Sequence, residues 1–250
     1  MRTTAIIAAF VAGMAGAGFG PAAARAETVD LLLVLAADVS RSIDETEFNL
    51  QRKGYAAAIT DPRVLRAIVS GRNHAIAVSF IEWSGAADQN IVVDWTVIRD
   101  EEAAGGVAAT MLGAPRSFLG RTSISAAIDY AMERFAVAPA STDKRIIDIS
   151  GDGTNNAGRA VTEARDDAVA AGVTINALAI INTQANPGYA FHTQPPGGLP
   201  KYFEENVIGG PGAFLFQVEN FSTFAEAITR KLVTEIALTG EKQRQTAALR

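Results

Sequence analysis

Val29–Ser42 reads VDLLLVLAADVSRS, a short apolar stretch that runs into Asp38-x-Ser40-x-Ser42. A continuous apolar run of this length suits a strand buried on both faces of a parallel sheet, here Asp30–Ala37. Such a strand delivers one carboxylate and two hydroxyls to its carboxyl end, which is half of an oxygen-only metal site. Hydroxyls are poor ligands for zinc or copper and acceptable ones for hard cations such as Mg²⁺.

Outward from this strand, elements of the two periodicities alternate. Ser42-Ile43-Asp44-Glu45 has the Ser-x-x-Glu pattern of a capping box, so a helix is expected from about Asp44 to Thr60, with Phe48, Tyr55 and Ile59 inward. Asp61-Pro62 turns the chain, and Val64–Val69 continues as a second helical piece. Strands are expected at His74–Trp83 and Gln89–Thr96, joined by a linker short enough for a hairpin, which makes the second antiparallel to the first. Asp100–Leu112 and Ser123–Phe135 read as helices, Arg145–Ser150 as a strand, Arg159–Ala171 as a helix and Val173–Ile181 as a strand. After a Gly/Pro-rich stretch come a strand at Ala213–Val218 and a helix at Phe221–Ile236, whose Phe224, Ile228, Leu232 and Ile236 form one apolar stripe. The pattern implies an α/β fold: a Rossmann-like, doubly wound, mostly parallel sheet with one antiparallel edge strand and helices on both faces.

The ends are expected to lie outside this domain. Residues 1–26 combine a basic start, an apolar Ala/Gly-rich run and Ala24-Arg25-Ala26 before Glu27, the pattern of a cleavable signal peptide. Residues 27–239 would form one domain, and 240–250 a polar C-terminal tail. Removing residues 1–26 takes away Arg2 and Arg25 and no acid, leaving 20 basic against 27 acidic side chains, a net charge of −7. That balance argues against a nucleic-acid partner, which calls for a basic face. No cysteine is present, so neither a disulfide framework nor a lipid-modified cysteine is available. The expected location is periplasmic or secreted, with no membrane anchor once the signal is cleaved.

Ligands of open α/β sheets bind beyond the carboxyl ends of the strands, where the strand order reverses. Two further oxygen-rich points reach that edge. The strand ending at Ser150 runs into Gly151-Asp152-Gly153, and Gly120-Arg121-Thr122-Ser123 opens the helix carrying Ile124 and Ile128. Asp38, Ser40, Ser42, Thr122 and Asp152 thus converge from three separate segments.

In this combination the chain resembles the von Willebrand factor A domain family, and most closely a secreted bacterial branch whose function is uncharacterised. The similarity spans about Thr28–Ala237. The resemblance implies a metal-ion-dependent adhesion site formed by Asp38, Ser40, Ser42, Thr122 and Asp152. It implies a divalent cation, Mg²⁺ foremost with Mn²⁺ or Ca²⁺ as alternatives, and a protein partner that offers an acidic side chain to the open coordination position. It implies recognition rather than catalysis, with no catalytic residue. Gly151 departs from the family, which usually has Thr or Ser before this Asp.

Blander roles exist for the same residues. Ser42 or Thr122 could serve only as helix caps, and Asp152-Gly153 is an ordinary turn pair. The whole could be a structural domain with an unused site. An acid at the end of an apolar strand, such as Asp38, needs a partner to offset its desolvation. An enzyme of phosphoryl transfer is the alternative from another class, since Asp38 and Gly151-Asp152-Gly153 resemble haloacid-dehalogenase phosphatases. That family has a second Asp two residues after the first, where this chain has Ser40, and a Lys for which Lys144 is the neighbour in sequence. No Gly-x-x-x-x-Gly-Lys-Ser/Thr loop or Gly-x-Ser-x-Gly turn occurs.

A partner-binding rim is expected from Arg116, Phe118 and Arg121 before Thr122. Tyr189, Phe191 and His192, in the long loop Asn182–Pro200, would complete it. Neither His74 nor His192 has a second His or a Cys beside it in sequence, so neither reads as a metal ligand. Trp83 and Trp95 read as packing residues.

Overall fold

The computed structural model describes residues 27–181, 190–219 and 221–248, with side chains described through residue 237. The expected signal segment and Tyr189 lie outside the described residues. In chain order the elements are β1 (Glu27–Thr28), β2 (Leu32–Asp38), α1 (Glu45–Ile59), α2 (Pro62–Val69), β3 (Ile76–Trp83) and β4 (Gln89–Ile98). Then follow α3 (Glu101–Gly113), α4 (Ile124–Ala136), β5 (Ala140–Ser141), β6 (Arg145–Gly151), α5 (Val161–Ala170) and β7 (Thr174–Ile180). The chain closes with α6 (Ala190–Thr193), α7 (Leu199–Asn206), β8 (Leu215–Val218) and α8 (Phe224–Ala248).

Strands pair in the order β4-β3-β2-β6-β7-β8, all parallel except β4, which runs antiparallel to β3 at the edge. The chain winds from β2 toward β3 and β4 on one side, and from β6 toward β7 and β8 on the other. The order therefore reverses between β2 and β6, and the expected ligand crevice opens at their carboxyl ends. A small second sheet pairs β1 with β5.

Every residue of β2 is buried, and its alternate side chains feed two core layers. Leu33, Leu35 and Ala37 pack with Phe48, Tyr55, Phe80 and the α8 stripe Phe224, Ile228, Leu232 and Ile236. Leu32, Val34 and Ala36 pack with Ile124, Ile128, Ala164, Ala168 and Phe203 from α4, α5 and α7. Two apolar faces are what a strand of continuous apolar residues demands. Trp83 is fully buried, and Trp95 lies against Phe135 at 5.9 Å between ring centroids.

Three elements differ from the sequence expectation. The cap of α1 is Asp44, whose side chain accepts from Glu47 N–H while Glu47 accepts from Asp44 N–H, each at 2.8 Å. Asp44-x-x-Glu47 is a second capping box two residues beyond the first and competes with it successfully, because Ser42 is engaged elsewhere. The Gly/Pro-rich stretch after β7 contains α6 and α7, the latter opened by Leu199-Pro200 with Pro in the first turn. The last helix continues through 240–248, where a polar tail is expected; Glu, Lys, Gln, Arg and Ala there are all strong helix formers.

A polar cluster is buried between α8 and the sheet. Lys231 of α8 forms ion pairs with Asp148 of β6 at 2.7 Å and with Glu235 at 2.6 Å, and Glu235 accepts from Asn176 Nδ2 at 2.8 Å. No helix among the described residues is long and apolar enough to cross a membrane.

Candidate metal centre

Asp38 ends β2 fully buried, and its backbone turn is fixed by its own side chain: Oδ1 accepts the Ser40 N–H at 2.7 Å. The next residues bend around Arg116. That guanidinium donates from Nη2 to the carbonyls of Val39, Ser40 and Ile43 at 2.8, 2.9 and 2.8 Å, and lies 5.2 Å from the Phe48 ring centre. Gln51 Nε2 donates to the Asp38 carbonyl at 3.2 Å. The loop that presents Ser40 and Ser42 is therefore held from beneath by residues of α1 and the 115–121 segment.

Asp152 follows β6, the neighbour of β2. Its Oδ1 accepts the Ser42 hydroxyl at 2.7 Å, and the Ser42 Oγ lies 3.1 Å from Ser40 Oγ. Gly151 lies close against this carboxylate, since a Cβ there would stand 3.1 Å from Asp38 Oδ2.

Thr122 arrives from the other core layer. Ser123 caps α4 by accepting from Ala126 N–H, so the cap role falls to Ser123 and leaves Thr122 to the site. Thr122 N–H donates to Asn156 Oδ1 at 3.0 Å, and its carbonyl accepts from Asn156 and Ala157 at 2.8 and 3.2 Å. These bonds tie the start of α4 to the loop that carries Asp152.

The structure thus gathers Asp38, Ser40, Ser42 and Asp152 into one hydrogen-bonded set, with Thr122 fastened to the same loop. Asp38 Oδ2 and Asp152 Oδ2 are buried and have no hydrogen-bond partner among the described residues. Burial raises the Asp38 carboxyl well above its ordinary range, and the charge of Asp152 adds to the rise; the Ser40 hydrogen bonds and Arg116 oppose it. Burial likewise pushes Asp152 up to about 6, against the Ser42 hydrogen bond. Two desolvated carboxylates with orphaned oxygens are costly without a counter-charge, and a divalent cation is the group that this donor set fits. No group of three or more His, Cys, Asp or Glu side chains is gathered to hold a metal among the described residues, so a cation here depends on the hydroxyls.

A cavity of about 280 Å³ opens beside the site, with Arg41, Ser42, Gly120, Arg121, Thr122, Asn156 and His192 around it. Among the expected rim residues, Arg121 lines this cavity and binds Asn156, and Phe191 is 94% exposed. Arg116 is turned inward under the loop, because three carbonyls with no strand partners need a donor there. Phe118 packs against the core layer of α1. Lys144 lies at the opposite edge of the sheet, where its carbonyl accepts from Leu32 N–H.

His192, at the rim by sequence, reaches the site itself. Its Nε2 is 2.9 Å from Thr122 Oγ1, and its Nδ1 is 3.1 Å from Thr154 Oγ1 and 3.3 Å from Asn156 Nδ2. Thr154 N–H donates to the His192 carbonyl at 3.1 Å. Sequence reasoning singled out neither Thr154 nor Asn156. The polar run Gly151–Asn156, GDGTNN, placed at a strand's carboxyl end, is the signal that marks them.

Residues 28–240 match the model of a family described as "Protein of unknown function (DUF1194)". Among curated protein sequences no relative matches. The fold is similar to that of proximal thread matrix protein 1 from the mussel byssus, solved with a zinc-occupied MIDAS (metal-ion-dependent adhesion site) motif. The two are 17% identical with a TM-score of 0.61, over 84% of this chain and 49% of that one. It is similar to the von Willebrand factor type A protein from Catenulispora acidiphila, at 12% identity and a TM-score of 0.57 over 84% and 43% of the two chains. It is similar also to BatB from Bacteroides thetaiotaomicron, at 19% identity and a TM-score of 0.55 over 83% and 98%. The chain spans about half the length of the mussel protein.

Proposed function

The chain belongs to the DUF1194 family and has the von Willebrand factor A fold, and from that premise we propose that it is a cation-dependent binding module. Asp38, Ser40, Ser42, Thr122 and Asp152 hold a divalent cation, Mg²⁺ foremost with Mn²⁺ or Ca²⁺ as alternatives. The bound cation supplies an open position that takes an acidic oxygen from a protein partner. Residues 1–26 direct the chain to the periplasm or beyond.

One observation carries the reading: two fully buried carboxylates, one ending β2 and one just after β6, each keep an oxygen without a hydrogen-bond partner among the described residues. The comparison with the zinc-occupied motif of the mussel protein supports it at the level of the fold. Two acids balance a dication formally, and the neutral hydroxyls of Ser40, Ser42 and Thr122 leave it electrophilic toward an incoming acid. Arg41 and Arg121 line the adjacent cavity and favour an anionic visitor.

Calorimetric titration with Mg²⁺, Mn²⁺ and Ca²⁺ tests the first half, with Asp38→Ala as the control. Saturable binding by the wild type and none by the variant is expected; no binding by either overturns the reading. Pull-down from a periplasmic extract with and without EDTA tests the second half. Captured proteins that persist equally in EDTA and on Asp38→Ala would refute a metal-dependent contact.

A further inference from the structure

We propose that His192 is the positioning residue of Thr122. Its Nε2 fixes the direction of the Thr122 hydroxyl and, once a cation is bound, accepts the hydroxyl hydrogen, so that the oxygen lone pairs face the ion. The inference rests on the cation-binding reading above and deepens it, by naming a side chain that sets the affinity without touching the ion.

Thr122 is the hydroxyl that needs such a partner. Ser42 donates to Asp152 and lies 3.1 Å from Ser40 Oγ, so the two serine hydroxyls are oriented by the set itself. Thr122 is buried, and among the described residues its hydroxyl is oriented by His192 Nε2, at 2.9 Å. The ring is in turn held from behind. Gly153 leaves the room that the imidazole occupies, since a Cβ there would fall 2.1 Å from Nε2. Thr154 N–H donates to the His192 carbonyl, and Thr154 Oγ1 and Asn156 Nδ2 lie 3.1 and 3.3 Å from Nδ1.

The surroundings of Nδ1 serve either tautomer. Asn156 Oδ1 accepts from Thr122 N–H, which turns Asn156 Nδ2 toward Nδ1. In the cation-free site Nδ1 is then the acceptor, and the ring hydrogen on Nε2 is given to Thr122 Oγ1, where it occupies a lone pair. A hydroxyl that ligates a cation keeps its own hydrogen and needs an acceptor on the side away from the ion. Nε2 becomes that acceptor when the ring hydrogen sits on Nδ1, where the nearer neighbour, the Thr154 hydroxyl, accepts it. The ring loses one proton and gains one in this exchange, so it stays neutral throughout. An acceptor behind a ligand raises the basicity of the ligating atom, and loss of such an outer partner commonly costs about 10–100-fold in metal affinity.

The chain has two histidines, His74 and His192, so tag-free His74→Ala protein carries a single imidazole. At about pH 8, where an ordinary imidazole is neutral, ¹⁵N nuclear magnetic resonance should find the ring hydrogen on Nε2 without cation and on Nδ1 in saturating Mg²⁺. By calorimetry, His192→Ala should bind Mg²⁺ at least about tenfold more weakly than the wild type. His192→Gln, whose amide oxygen can take the same hydrogen, should recover most of that loss. If His192→Gln binds as weakly as His192→Ala, or if Mg²⁺ leaves the tautomer unchanged, the ring only fills space and the inference fails. If Asp38→Asn abolishes cation binding but His192→Ala matches the wild type, this inference fails and the cation-binding reading stands. No cation binding by the wild type overturns both.

Discussion

At the scale of single residues, the site is held in a state that suits its task better than its stability. Asp152 is buried and its carboxyl sits near 6, so keeping it ionised at neutral pH costs folding energy. Asp152→Asn keeps an oxygen to accept the Ser42 hydroxyl and removes the charge. In EDTA near neutral pH it should raise stability by roughly 1–3 kcal/mol while abolishing the stabilisation that cations give the wild type. Chemical unfolding with and without cation checks this; a variant less stable than the wild type in EDTA contradicts it. Arg116 makes the complementary case. A lysine offers one ammonium where the guanidinium serves three carbonyls and stacks on Phe48. Arg116→Lys should weaken cation binding about tenfold or more by loosening the Ser40–Ser42 loop, as read by calorimetry. The ligand types at Asp38, Ser40, Ser42, Thr122 and Asp152 are legible in the sequence, because strand ends and helix starts place them. Arg116, His192 and Asn156 are not, since long-range contacts set their orientation and no local pattern records these.

At the scale of elements, the strands and most helices follow from periodicity and capping. The remaining elements carry no periodic signal. The small β1–β5 pair is two residues long on each side, and α6 and α7 are short helices inside a Gly/Pro-rich stretch. The ion cluster between α8 and the sheet is hidden for another reason. Lys231 and Glu235 lie one helical turn apart, which usually marks a solvated face, yet both are buried against Asp148. Lys231→Met leaves Asp148 without its counter-charge in the core. The expected loss is about 3–5 kcal/mol, read as a lower urea midpoint. A midpoint that holds or rises shows that apolar packing replaces the pair.

For the molecule as a whole, these buried acids set the pH dependence of folding. Burial pushes Asp148 up to about 7 against the pull of Lys231, and Asp152 up to about 6. An ordinary carboxyl in the unfolded chain titrates near 4. Between about pH 4 and pH 7 the folded chain therefore holds protons that the unfolded chain has released, and stability falls as pH rises through that window. In EDTA the urea midpoint should decline from about pH 4 to pH 7, and Asp148→Asn should flatten part of the decline. A midpoint that rises across this range contradicts the assignment.

The cap of α1 has a consequence for how occupancy is transmitted. Asp44 and Glu47 close the helix between themselves, and Ser42 is left to Asp152. Filling or emptying the centre therefore leaves the cap hydrogen bonds of the helix start in place. What the first turn of α1 feels is charge, since Glu47 adds to the rise of the Asp152 carboxyl and Glu45 faces Arg116. The hydrogen bonds from Thr122 to the 152–157 loop tie the same centre to the start of α4.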